Sequence, residues 1–426
     1  MSARLLLVIL MAAGIIYGLI IMYIAAQQRK KPLPPEVADV YDAERYRQYL
    51  SYVADHRKSR LVVSGVTFVT STILYYSNMY SALEGWFKGN PYLILIATQT
   101  VFAFIDTVVD IIDDYHCTFV IKEKYGLNRQ DRKGFARDKA LETVLNLVMV
   151  YSLSLIVVFI GEHMAQWTGG FSVSLGRALL IAFIIAAVIV LFVFGASLLS
   201  IWVMKKKYTF TPLPEGELRD KVMKLQEGSR KKVKIINVYD ESKKSTSKNA
   251  FLLKLLWHRE FGIADNFINE NAEEELLAVL SHEIGHLKHR KNWLNYLSYA
   301  FMAALFALFA WAVHRPGAIL SMNGWIRDSF GISTNNYFLL MGVYLAIFTP
   351  VSRAIRIFAN YRSRSEEYEA DREAVKNGYG EALIATFKRL SSDELVNVNP
   401  HPLIEFLNYD HPGMYQRIRA IREASA

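Results

Sequence analysis

His282 and His286 enclose Glu283 within the stretch Glu273-Glu274-Glu275-Leu-Leu-Ala-Val-Leu-Ser-His282-Glu283-Ile-Gly-His286-Leu-Lys-His289. Acidic residues at the start and basic ones at the end suit a helix, whose N-terminus carries partial positive charge. One helical turn then puts both imidazoles on one side, able to share a metal ion. Glu283 beside them is placed to take a proton from a water that the metal polarises. This is the chemistry of a zinc-dependent peptide hydrolase with one Zn2+ per chain. The short pattern also arises by chance in unrelated chains, where it is a pair of solvated histidines. Two features favour the metal: the helix is amphipathic, and Cys117, the only cysteine, excludes both a disulfide and a cysteine-built zinc site.

A catalytic zinc needs a third protein ligand and an open position. His289 lies near the same helix face, but one rigid helix does not wrap three side chains round an ion, so it reads as a surface or outer-lying histidine. The longer metal motif that requires glycine at 289 and histidine at 292 is excluded by His289 and Asn292. Better candidates stand in Asn360-Tyr-Arg-Ser363-Arg364-Ser-Glu366-Glu367-Tyr368-Glu369-Ala370-Asp371, a second charged helical stretch. On spacing alone Glu366, Glu367 and Glu369 compete, alongside a plain solvated acidic face. Asp371 falls one turn after Glu367, where it can hold a ligand histidine through its other ring nitrogen.

The elements that must position these residues are membrane helices. The 426 residues are 52% hydrophobic and 13% aromatic, and the charges gather in blocks between long apolar runs. Seven segments offer about 20 mostly apolar residues, the length that a bilayer core of about 30 Å requires: 4–25, 61–83, 92–112, 140–160, 179–204, 294–313 and 337–358. The first has a weakly basic start and no clear cleavage site, so it reads as a retained anchor. Arg29, Lys30, Lys31, Arg45, Arg57 and Arg60 follow the first span, Lys122 to Lys139 the third, and Lys205-Lys206-Lys207 the fifth, and the tail is rich in arginine. The alternate loops carry little beyond Lys88, Arg177, Arg315 and Arg327. The positive-inside rule therefore predicts the N-terminus outside and the C-terminus cytoplasmic. The same placement beside apolar runs assigns the net charge of +9 to topology and lipid rather than to nucleic acid. Asp106, Asp110, Asp113, Glu142 and Asn146 fall in or beside spans, where carboxylates face a cavity, a partner or the interface.

His286 stands seven residues before Trp293 and Glu367 nine after Phe358. At about 1.5 Å per residue, both lie roughly 10–14 Å beyond the membrane core. Two zinc-bearing helices thus extend from neighbouring spans and converge just above the bilayer.

The chain resembles the integral-membrane zinc-dependent CAAX prenyl endopeptidases of the seven-span type, over nearly its whole length. The resemblance rests on the two segments above, on Phe119-Val-Ile-Lys-Glu-Lys-Tyr-Gly126-Leu-Asn128, and on Ser247-Lys-Asn249-Ala250-Phe251. It also rests on Asn399-Pro-His401-Pro402, Asp410-His411-Pro412 and Arg417-Ile418. It implies Glu367 as the third zinc ligand, an edge strand at Asn249, Ala250 and Phe251 that pairs with peptide substrate, and His411 as a stabiliser of the oxyanion. Arg364 and Arg417 take supporting roles. Residues 252–269 depart from the pattern that the family leads one to expect.

The expected architecture is a mainly α, polytopic membrane protein with a small α+β peptidase domain on the cytoplasmic side. Its parts are a five-span region (1–204), a section with the histidine helix (205–292), spans six and seven (293–358), and a closing section with the third ligand (359–426). The expected partners are a peptide or prenylated protein and the lipid bilayer, with no obligate protein partner. Two other classes stay open: a quality-control peptidase for membrane proteins, and a zinc or ion transporter, which would bind its ion near the bilayer midplane.

Overall fold

The computed structural model describes residues 1–168, 175–227, 232–255, 258–289 and 318–426. The expected span at 294–313 lies outside the described residues, as does the side chain of His289.

The N-terminal half is built from helices α1 (Ala3–Gln28), α2 (Ala43–Tyr76), α3 (Met79–Trp86), α4 (Pro91–His116), α5 (Arg132–Thr168) and α6 (Leu175–Lys207). Ser2 caps α1, Asp42 caps α2, and Asn90 caps α4 ahead of a proline at its first position. Helix α4 runs on through a π-helical turn at Cys117–Lys122. Among the described residues, four helices are long and apolar enough to cross a bilayer: Ala3–Gln28, Pro91–Lys122, Arg132–His163 and Tyr337–Lys376.

The span expected at 61–83 is not one helix. Helix α2 ends at Tyr76, where Ser77 turns extended and its hydroxyl donates back to the Leu74 carbonyl. That local bond competes with continuation of the helix. Helix α2 also begins long before its apolar run. Its tyrosine-rich first half packs on the C-terminal part of the chain, with Tyr46, Tyr49 and Val53 against Leu383, Val398 and Ile418. Some of the acidic residues near the spans meet cations of neighbouring helices: buried Lys139 reaches Asp110 and Asp114, and Lys207 reaches Glu142 at 3.2 Å, while Asp113 accepts from the Ser59 hydroxyl.

Beyond α6 comes a four-stranded sheet made of β1 (Phe210–Pro212), β2 (Ile235–Tyr239), β3 (Ala250–Leu255) and β4 (His258–Ala264), with α7 (Glu217–Leu225) between β1 and β2. The order is β1-β2-β4-β3, with β2 and β4 parallel and the other pairs antiparallel. Strand β3 is therefore an edge. Then follow α8 (Asp265–Glu270), α9 (Glu273–His289), α10 (Ala318–Phe330), α11 (Tyr337–Lys376), α12 (Gly380–Asp393), α13 (Pro402–Asn408) and α14 (Met414–Ser425).

Helix α9 lies between two cores. On one side Leu276, Leu280 and Ile284 pack with Ile236, Phe261 and Ile263 of the sheet. On the other, Ala278 packs with Ala374, Leu383 and Ile418 of α11, α12 and α14. Both faces being buried, the polar residues left on α9 need partners inside the protein. A second buried charge joins the sheet to the membrane part. Glu260 of β4, with no exposed surface, receives Lys205 of α6 at 2.8 Å, Asn237 at 2.7 Å and His258 at 2.9 Å.

Candidate metal centre

Helix α11 is one unbroken helix of 40 residues, leaving its apolar stretch and running on past Asp371. It crosses α9 at a close approach that Gly285 permits. A Cβ at Gly285 would lie 2.6 Å from the Ala370 Cα and 3.1 Å from its Cβ and carbonyl oxygen. The small residue beside Glu367 and the absent side chain beside His286 thus let the two helix faces touch. Lys288 pairs with Glu373, and the Asn377 amide donates to Ser281 at 2.8 Å, fastening the same crossing.

At the crossing, Glu367 Oε2 lies 3.4 Å from His282 Nε2 and Oε1 lies 3.2 Å from His286 Nε2. The ligand atoms of these three residues all fall within 4.8 Å of one another. Among the described residues they form the one such cluster of histidine, cysteine and carboxylate groups. Their orientation is held from behind. His282 donates through Nδ1 to Asp371 Oδ1 at 2.9 Å, which turns Nε2 inward. Buried Arg417, from α14, grips Asp371 with Nε at 2.9 Å and Nη2 at 2.7 Å, and its Nη1 stands 3.2 Å from Glu367.

The residues fit a metal dication. Buried Glu367 Oε2 has only Arg417 Nη1 at 3.2 Å and His282 Nε2 at 3.4 Å beside it, and so keeps a lone pair for a cation where the three residues converge. Burial opposes charge on His282, yet its bonds to Asp371 and Glu367 prevail and raise its pKa to about 9. These anionic surroundings draw positive charge to the spot where a dication would stand.

Comparison with known proteins gives the same site a family. Residues 212–425 match a profile described as peptidase family M48. Residues 22–204 match one described as CAAX prenyl protease N-terminal, five membrane helices. The chain belongs to peptidase family M48. It is a membrane metallopeptidase. A protein named CAAX prenyl protease 1 homolog from Oryza sativa is 26% identical over 92% of this chain and 91% of its own. Another so named, from Homo sapiens, is 24% identical over 94% and 92%. The crystal structure of Ste24p from S. mikatae shares the fold, with a TM-score of 0.79 at 22% identity over 99% of each chain.

In this peptidase Glu283 sits beside the three clustered residues, and burial pushes its carboxyl pKa upward while His282 and His286 pull it down. A carboxyl poised upward suits a group that must hold and release a proton. His411 is more exposed, 59% of its side chain being open. Its Nε2 lies 3.4 Å from Glu367, and its Nδ1 pairs with Asp410 at 2.9 Å. Arg364 does not touch the cluster. It donates to the carbonyls of Glu405 and Tyr409, and so holds the backbone that leads to His411.

The edge strand lies across α9. The Ala264 N–H donates to the Asn249 carbonyl at 2.9 Å, so Asn249 faces β4, as does Phe251, in register with Gly262. Alternation then turns the N–H and C=O of Ala250 and Leu252 to the free edge. The Phe251 ring lies across Gly262 and against Tyr239, and so is committed to the interior. Leu252 went unnoticed in the sequence because register is a property of the pair of strands. The Gly285–Ala370 contact and the double grip of Arg417 likewise needed both helices in place. Their local signals, the glycine before His286 and the alanine before Asp371, have meaning only once the two stretches are known to cross.

Proposed function

We propose that the metal is zinc, held by His282, His286 and Glu367, and that the peptidase cleaves near the C-terminus of lipid-modified proteins, on the cytoplasmic side. The observation that carries this reading is the convergence of two imidazole nitrogens and one carboxylate within 4.8 Å on helices tied to a membrane span. A donor set of two histidines and one glutamate is that of catalytic zinc sites with a position left open. Glu367 follows Phe358 by nine residues, about 14 Å of helix, which is the depth at which a peptide anchored by a lipid chain would present itself. The relatives are named for a CAAX motif, a C-terminal cysteine sequence whose cysteine carries a prenyl group. The same reading keeps the division at 204, 292 and 358, and the loop charges that place the C-terminus in the cytoplasm.

Bound zinc would supply the Lewis acid that polarises the scissile carbonyl and the attacking water. Glu283 removes the proton from that water and delivers it to the leaving amine. Asp371 fixes the His282 ring, and Arg417 keeps Asp371 and Glu367 ionised and in place. His411 stands where it can donate to the oxygen that gains charge. The outward N–H and C=O groups of Ala250 and Leu252 align the peptide as an added strand, with Asn249 leading into it and Phe251 anchoring it.

The test is cleavage of a panel of farnesylated peptides and their unlipidated counterparts, with and without zinc. Glu283→Gln is expected to retain zinc and lose about 10²–10⁴ in rate, the range that proton transfer contributes. Full cleavage by that variant sinks the mechanism. Equal cleavage of plain and farnesylated peptides would instead favour a broad peptidase that clears membrane proteins.

A further inference from the structure

The free edge of β3 is only as well placed as the segment that leads into it. Residues 247–249 have no regular structure of their own. They are held from outside. Ser247 Oγ donates to Glu394 Oε1 at 2.8 Å, and the Lys248 N–H donates to the same oxygen at 3.1 Å. On the other side, Asn266 donates to the Ser247 carbonyl at 2.8 Å. The mostly buried ammonium of Lys248 bridges Asp393 at 3.3 Å and Glu270 at 3.2 Å. Two residues after Lys248, Ala250 turns its main chain to the edge.

Glu394 is itself unusually well fixed. It is the C-cap of α12. The turn that follows returns the Leu395 and Val396 N–H groups to the carbonyls of Ser392 and Ser391. Such a turn needs a left-handed residue after the cap, a place normally filled by glycine. Here it is Leu395, at φ 55° and buried. A leucine persists in that conformation only where its surroundings over-determine it. The constraint comes from the N-terminal half. Arg45 donates to the Ser392 carbonyl at 2.9 Å and the Asp393 carbonyl at 2.6 Å, while the Tyr41 hydroxyl reaches those of Ser391 and Val396 at 2.8 and 2.7 Å. The membrane half thereby sets the end of α12, and the end of α12 holds the entry to β3.

We infer that Glu394 is a positioning residue for peptide binding: its carboxylate fixes Ser247 and Lys248, and thereby sets the Ala250–Leu252 edge over the metal centre. The inference rests on the reading of β3 as the strand that pairs with substrate. Glu394 touches neither metal ligands nor peptide, so its removal acts on KM rather than on the chemical step.

The experiment uses the full-length protein in detergent with a fluorogenic farnesylated peptide. It measures KM and kcat separately, together with metal content and thermal midpoint. Glu394→Ala is expected to raise KM about tenfold, since two hydrogen bonds to one charged acceptor are lost, with kcat within about twofold. Glu394→Gln keeps an oxygen that accepts from Ser247 and Lys248, and is expected to restore the wild-type KM. Ser247→Ala removes one of the two bonds and is expected to raise KM about threefold. It decides the question if Glu394→Ala does not fold. An unchanged KM in Glu394→Ala and Ser247→Ala, or a Gln variant as impaired as the Ala variant, overturns the inference. Ala250→Pro separates the two layers of the argument. If it raises KM and Glu394→Ala does not, the role of Glu394 falls and β3 keeps its own. If neither moves KM, the reading of β3 falls as well.

Discussion

The proposed active site has two walls built on opposite principles. The helical wall, where α9 crosses α11, works through side chains. Its ligand residues, Asp371 and Arg417 form one connected charge network, largely buried, and each member is held by at least one other. The sheet wall works through its main chain. At β3 the groups that matter are N–H and C=O groups that any residue but proline provides, and the side chains there serve packing. A wall of side chains depends on how closely two helices approach. A wall of main chain depends on what holds the strand in place, and here that comes from far away in the sequence.

The largest effect is expected where the helical wall depends on a single contact. Gly285→Val drives side-chain atoms into the Ala370 backbone, 2.6 Å from where the Cβ would stand. The helices must then separate, and metal content by mass spectrometry is expected to fall to background along with activity. A metal-replete valine variant would show that the close approach is not needed. Glu283→Gln marks the complementary case, in which the wall stays intact, metal remains and activity goes.

Asp371→Asn breaks the network one step further back. The His282 ring loses its charged acceptor and Arg417 loses half of its grip, so zinc affinity is expected to drop about 10–100-fold, as for other partners behind a ligand histidine. Competition with a chromogenic chelator reads this directly. On the sheet wall, Ala250→Pro removes one outward donor at the first position of the strand, where proline is tolerated. A rise of about two- to tenfold in peptide KM, with zinc affinity untouched, is the expected result. Zinc loss in that variant would mean that the walls are not independent.

The smallest effect concerns the joint at Glu260, behind the sheet. Burial alone would raise its pKa, but bonds from Lys205, Asn237 and His258 lower it overall. A depressed carboxyl contributes stability that is fully present above its unfolded value of about 4.3 and lost as pH falls through its lower folded value. The thermal midpoint of the wild type is therefore expected to fall more steeply below about pH 4 than that of Glu260→Gln. Equal slopes would remove Glu260 from the acid response.

The sequence by itself determined what one helix or one apolar run can state. The spacing of His282, Glu283 and His286 is a one-turn pattern, readable without knowing what lies opposite. The runs from residue 92 onward that fall within described helices needed only length and hydropathy. The run at 61–83 extends past the end of its helix, because Ser77 closes α2 by a bond to Leu74, a choice that hydropathy does not record. Tertiary structure decided every question that concerned two segments at once. Glu366, Glu367 and Glu369 share one acidic stretch, and only the face of α11 that touches Gly285 brings Glu367 to the histidines. Ala250, Phe251 and Leu252 share one strand, and only the register with β4 separates the outward main chain from the inward ring. A period along one element is written in the chain. Which phase of that period meets its neighbour depends on packing between residues hundreds of positions apart, as with Arg45 and the end of α12.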